Sequence, residues 1–267
     1  MQLSFSPKRE PVLLVLTIRT DKQQEIMVSV SDPTKPFTDY FKSAAVINGE
    51  RKFYIRLPLT PDVALIKIYN VLNGNLAWEK DRTFKLVGIE QKPLKQDLNV
   101  FDSKNEVVTD FLTFFIKFAE KAGYLPASND QVTEDIYRSL DGMFSIRYLN
   151  VITDENGRPI NSSARVNAAT GVMDFSKYYF KLYTIPERIL IGAHEFSHFY
   201  VNQDARNEFE ADRNGLMIYL GLGFPRKEAL QGWLKVFGRA QTGQNARRYK
   251  LIEEYVSDFD KSNKIIK

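Results

Sequence analysis

The sequence predicts an α+β chain in two parts. An antiparallel β-sandwich is expected over residues 1–97, and a domain of helices packed on a small sheet with an edge strand over residues 98–267. Two observations carry this. Apolar runs recur at strand spacing through the first part with no helical stretch between them, and near residue 100 the period changes to that of amphipathic helices. A length of 267 residues suffices for two modest domains, and 43% apolar residues can fill a core in each.

In the first part, strands are expected at 12–20, 25–30, 51–59, 64–71 and 83–89. Turn chemistry separates them at Ser31-Asp32-Pro33, Asn48-Gly49 and Asn73-Gly74. The stretch 53–70, with Leu57-Pro58-Leu59-Thr60-Pro61 between two strands, resembles an immunoglobulin-like or C2-like module. That resemblance implies binding or spacing rather than chemistry. The boundary is expected at 92–97, where Pro93 and polar residues interrupt the strand pattern.

In the second part, residues 105–122 place Val108, Phe111, Phe114, Phe115 and Phe118 on one helical face, and Gly123 ends the run. Such an aromatic stripe is core packing. A short helix is expected over 132–140, capped by Asn129 or Asp130. Two strands, 144–152 and 164–175, are expected to be joined by a hairpin turn at Asp154-Glu155-Asn156-Gly157. Three helices follow. The first starts after Thr184 with Pro186 in its first turn and ends near Val201. The next spans 206–220 and stops at Gly221-Leu222-Gly223, and the third opens with Pro225. The tail, 245–260, is expected to be helical too.

The absence of cysteine excludes disulfides, thiolate metal sites and a Cys nucleophile. The net charge of +4 permits an acidic partner without requiring one. Between 226 and 250, Lys227, Lys235, Arg239, Arg247 and Arg248 are interrupted by Glu228 and followed by Glu253 and Glu254, with no aromatic platform. This reads as a solvated helical face, so nucleic acid is not expected as a partner. No apolar run reaches membrane-spanning length, so a soluble chain without a membrane partner is expected. Lys8-Arg9 followed by the apolar stretch 11–18 is the nearest approach to a signal peptide. It breaks at Arg19, Asp21 and Lys22 without a small-residue cleavage site, and Leu14, Leu16 and Ile18 alternate as in a strand.

The chemistry concentrates at 194–198, which read His-Glu-Phe-Ser-His and contain the chain's only 2 histidines. Histidines four apart on a helix share a face, so both imidazoles can reach one metal ion. Glu195 stands one position round, where its carboxylate can reach a metal-bound water as a general base. With no further histidine and no cysteine, a third ligand from the chain must be a carboxylate. Glu208 lies nine residues past His198, enough for a short loop and the first turn of an antiparallel helix. Glu210 is the alternative, off the face of Asp212. Asp212 is one turn beyond Glu208, placed to accept an imidazole N–H. Small Ala211 would let the two helices approach closely.

His-Glu-x-x-His followed by Glu-x-x-Ala-Asp on the next helix resembles the gluzincin metallopeptidases over about residues 100–240. The resemblance implies a minimal zincin domain with a Zn2+ ion held by His194, His198 and Glu208, Glu195 as base, and Asp212 orienting a ligating histidine. It also implies that 164–175 is the edge strand along which an extended peptide pairs. The gap between the motifs is short, and Ser197 replaces a common glycine. No histidine remains to stabilise an oxyanion. A tyrosine or arginine must do so, with Tyr178, Tyr179, Tyr183, Tyr200 and Tyr219 as candidates.

Two functions follow. The first is a zinc metallopeptidase acting on a peptide or protein substrate. The second is a zincin fold used structurally among neighbouring chains of a large assembly such as a virion, with apolar Phe5 and Ile265-Ile266 held by those neighbours. A cytoplasmic or virion-associated location is expected. A third reading, a zinc-stabilised binding module without hydrolytic history, is opposed by the intact Glu195 and by the four closed protein ligands a structural site needs, of which only three are found.

Overall fold

A computed structural model describes residues 1–73, 81–94, 106–127, 136–239 and 242–262. The chain divides into two compact units, Met1–Gln96 and Asp97–Lys267. Among the described residues no helix is long and apolar enough to cross a membrane.

The first unit is one antiparallel five-stranded sheet built from β1 (Gln2–Phe5), β2 (Val12–Ser31), β3 (Asp39–Leu57), β4 (Ala64–Asn70) and β5 (Phe84–Pro93). β2 is its hub. The first half of β2 lies between β3 and β5, and its second half lies between β3 and β4. The strands expected at 12–20 and 25–30 are therefore one strand. Asn48-Gly49 is not a turn but lies inside β3, where the register slips between Thr20 and Gln24. Gly49 has φ +81°, a backbone conformation that glycine adopts without a Cβ clash. Residues 39–47 of β3 were not expected as strand; Phe41, Ser43 and Ile47 are buried along them. The core comes from period-2 alternation: Leu14, Leu16, Ile18, Ile26, Val28 and Val30 are all fully buried. Phe5 pairs with Ala64, and the terminal ammonium of Met1 donates to Ile68 O at 2.7 Å, so this end of the chain is tied into its own sheet. Ile265-Ile266 lie outside the described residues.

The second unit holds α1 (Glu106–Lys121), β6 (Ile136–Arg138), β7 (Ser145–Leu149), β8 (Ala164–Val166), β9 (Met173–Ser176), α2 (Lys177–Phe180), α3 (Ile185–Tyr200), α4 (Glu208–Gly221), α5 (Arg226–Phe237) and α6 (Gly243–Ser262). The sheet order is β6-β7-β9-β8, with β7 and β9 parallel and the outer pairs antiparallel. The helix expected over 132–140 is corrected where it is described: 136–138 form β6. Ile136 and Tyr137 pair with Arg147 and Ile146, and a turn at Ser139–Gly142, with Gly142 at φ +74°, closes the hairpin. The strand expected over 164–175 is two strands. Asn167 Oδ1 accepts the N–H groups of Ala169 and Thr170, and Gly171 at φ +70° completes the reversal. The turn at Asp154–Gly157 is present, closed by a bridge from Thr153 to Pro159, but it does not join neighbouring strands.

The aromatic stripe of α1 builds the core beneath α3. Phe111 stacks on Phe196 at 4.1 Å and 15°, and Phe115 lies where any side chain at Gly192 would stand, with a Cβ there only 2.1 Å from its ring. α3 begins at a capping box in which Thr184 Oγ1 accepts from Glu187 N and Glu187 Oε2 accepts from Thr184 N. Every residue of α3 from Ile185 to His198 is buried. This central helix carries the histidines.

Candidate metal centre

His194 and His198 face the start of α4, whose first residue is Glu208 behind the cap Asn207. The three side chains form a group able to hold a metal ion. Nε2 of His198 lies 3.1 Å from Nε2 of His194, and these nitrogens lie 3.6 and 3.5 Å from the Glu208 carboxylate oxygens. A tetrahedral zinc ion with bonds of 2.0–2.1 Å sets its ligand atoms about 3.3 Å apart. The observed spacings lie near that value, each imidazole facing a different Glu208 oxygen, so the donor set is compatible with such an ion.

The outer nitrogens are held as well. His198 Nδ1 lies 2.9 Å from Ala205 O, which can only accept, so the proton is on Nδ1 and the lone pair of neutral His198 is on Nε2. His194 Nδ1 lies 3.1 Å from Asp212 Oδ1, a charge contact at a distance suited to hydrogen bonding but not aligned as a good one. Burial opposes charge on His194, yet the carboxylates of Asp212 and Glu208 outweigh it and hold the imidazole at about 10. Burial and the neighbouring His194 charge push His198 down. Both Nε2 atoms converge on the Glu208 carboxylate, and a metal ion would bind there with both imidazoles neutral.

Tight helix packing makes this convergence possible. A Cβ at Gly215 of α4 would lie 2.8 Å from both the Cα and N of His194, so only glycine allows α4 to come this close. Ala211 is fully buried at the same interface.

Glu195 is buried and lines the same cleft, a cavity of about 480 Å3. Burial, with the nearby Glu208 charge, pushes its carboxyl up to about 7, while His194 and the N–H of Val166 in β8 act in the opposite sense. Glu210 is not among the three: its Oε1 accepts from Gln203 N at 3.1 Å and holds the loop before α4. None of Tyr178, Tyr179, Tyr183, Tyr200 and Tyr219 lines the cleft. Tyr179 donates to Asn161 Oδ1 and Tyr200 to Met143 O, while Tyr219 is buried below α5 near Pro225 O.

Two residues of the site were not singled out in the sequence. Trp233 of α5 lines the cleft and packs edge-on against His194 at 5.2 Å. Arg248 of α6, read as part of a solvated face, is instead mostly covered, its side chain 11% exposed. Its Nε and Nη2 donate to the two oxygens of Asp212 at 2.7 Å each, Nη2 also reaches Glu208 Oε2 at 2.9 Å, and the guanidinium covers the Phe237 ring. Burial penalises all of these charges. Against that penalty, Arg248 and His194 hold the Asp212 and Glu208 carboxyls below their ordinary values. No local pattern separates Arg248 from exposed Arg247 and Lys250; only its place on α6 turns it inward.

Comparison with protein families, curated proteins and solved structures returned no match.

Proposed function

We propose that the chain is a zinc-dependent metallopeptidase of the gluzincin kind, its second unit a minimal zincin domain. The observation that supports this best is the convergence of His194, His198 and Glu208 at the spacings of a zinc tetrahedron, with the Glu195 carboxyl in the same cleft. His194 Nε2, His198 Nε2 and one Glu208 oxygen would hold the ion. A bound zinc supplies a Lewis acid for water and for the scissile carbonyl. Glu195 takes the proton from the attacking water and delivers it to the leaving amine. Asp212 and Ala205 O fix the two imidazole rings. The outer edge of β8, unpaired among the described residues in the order β6-β7-β9-β8, takes an extended peptide by backbone pairing. None of the five candidate tyrosines is on the cleft lining, so an arginine of that lining (Arg165, Arg206 or Arg248) would have to answer negative charge developing on the substrate carbonyl.

The test is Glu195→Gln. The amide fills the same space but cannot accept the proton, so zinc should be retained while hydrolysis falls by more than about a hundredfold. Equal turnover by variant and wild type would refute the assignment of the base.

The second reading is a zincin fold used structurally within a large assembly such as a virion. The absence of all five candidate tyrosines from the cleft, together with the engagement of Arg248 by two carboxylates, favours it. Under this reading the protein retains zinc, cleaves no peptide, and is recovered with neighbouring chains.

A further inference from the structure

The charged side chains that line the cleft are engaged to different degrees. Among the described residues its carboxylates are Glu195 and Glu208. Glu208 is engaged by Arg248 and the imidazoles, and Glu195 lies near the Val166 N–H. Arg248 is in turn saturated by Asp212 and Glu208. Two further arginines remain on the lining, Arg165 in β8 and Arg206 in the loop before α4.

Arg165 shares its counter-ion. Asp174, only 2% exposed, receives Arg147 Nε and Nη2 at 2.6 and 2.8 Å as well as Arg165 Nε at 2.9 Å. Arg165 thus shares its carboxylate with Arg147, and the Nη groups of Arg165 have no partner among the described residues. Arg206 is exposed, and its guanidinium likewise has no partner among the described residues. Its backbone is nonetheless fixed, because its N–H donates to Asp204 Oδ1 and the preceding carbonyl, Ala205 O, is held by His198. A bound divalent cation would add positive charge to the same cleft.

We propose that the cleft selects peptides carrying an acidic side chain close to the scissile bond, received by Arg206 and Arg165. This rests on the reading of the cleft as a peptidase site. An acidic side chain gains two guanidinium donors there, whereas a lysine meets like charge from both. Exposed pairs are individually weak, so the difference between Glu and Lys at the responsive position should be about tenfold in affinity.

The test uses the zinc-loaded Glu195→Gln protein at low ionic strength. It is titrated with labelled octapeptide pools that carry Glu, Ala or Lys at one position in turn. The Glu pools should bind most tightly at one or two positions, and Arg206→Glu, with unchanged zinc content, should abolish or invert the order. Equal binding of Glu and Lys pools at every position, no binding of any pool, or an order that survives Arg206→Glu would overturn the proposal. Wild-type protein incubated with the same pools separates the two ideas. Cleavage without charge preference removes the selectivity and leaves the peptidase. Charge-selective binding without cleavage keeps the selectivity and removes the peptidase.

Discussion

Gly215→Ala tests whether the approach of α4 to α3 builds the metal centre. A Cβ at 215 would stand 2.8 Å from His194 Cα and N and 3.1 Å from Ala193 C, all backbone atoms that cannot swing aside. Carbon contacts relax at 3.5–4.0 Å, so the helices must part by about 0.7 Å. Two effects oppose one another. Alanine is favoured over glycine in a helix interior by about 1 kcal/mol, while overpacking against a fixed neighbour costs roughly 1–3 kcal/mol. The metal-free protein should therefore lose about 1 kcal/mol of stability. The site should lose more, because His194 and Glu208 lie on the two separated helices and metal–ligand distances tolerate only about 0.2 Å. Zinc affinity should fall at least tenfold, and the variant's deficit in urea unfolding should widen when zinc is present. Gly232→Ala in α5 is the control. The atoms nearest its Cβ would be side-chain atoms of Leu190 and Glu187, at 3.3 and 3.4 Å, which can give way. Unchanged stability and unchanged zinc affinity in Gly215→Ala would refute the reasoning.

Elemental analysis of untreated protein should find about one zinc per chain, and His194→Ala or Glu208→Ala should abolish it; full stoichiometry in either variant removes that ligand. Arg248→Ala leaves the buried Asp212 without its bidentate partner and should destabilise the metal-free protein by about 3 kcal/mol. Added zinc should recover part of that loss in urea melts, and equal losses with and without zinc would contradict a shared electrostatic role. Glu228 is buried with neither carboxylate oxygen partnered among the described residues; burial first and the Glu187 charge second raise its carboxyl well above the ordinary 4.5. The folded state thus keeps a proton that the unfolded chain releases, so this stability is full below 4.5 and is lost as pH rises through the folded value. Glu228→Gln should flatten the loss seen in thermal melts across that range, and an unaltered pH profile would show that Glu228 does not carry it.

The sequence alone determined what depends on local period and local chemistry. The i, i+4 histidines define a helical face whatever surrounds it, so their convergence was legible from 194–198 together with the carboxylate at 208. The Thr184 start of α3, the stripe of α1 and the alternation in β2 and β4 were legible for the same reason. Tertiary structure decided what depends on partners far apart in the chain. A bulge makes one strand of two apparent ones, and Asn48-Gly49 looks the same in a bulge as in a hairpin turn until its partner Thr20 is known. Residues 136–138 gain their strand from β7, a pairing their own spacing does not encode. Arg248 lies 36 residues from Asp212, and nothing within α6 distinguishes it from its exposed neighbours. The two carboxylates it reaches lie on another helix, and burial of that contact made it part of the site.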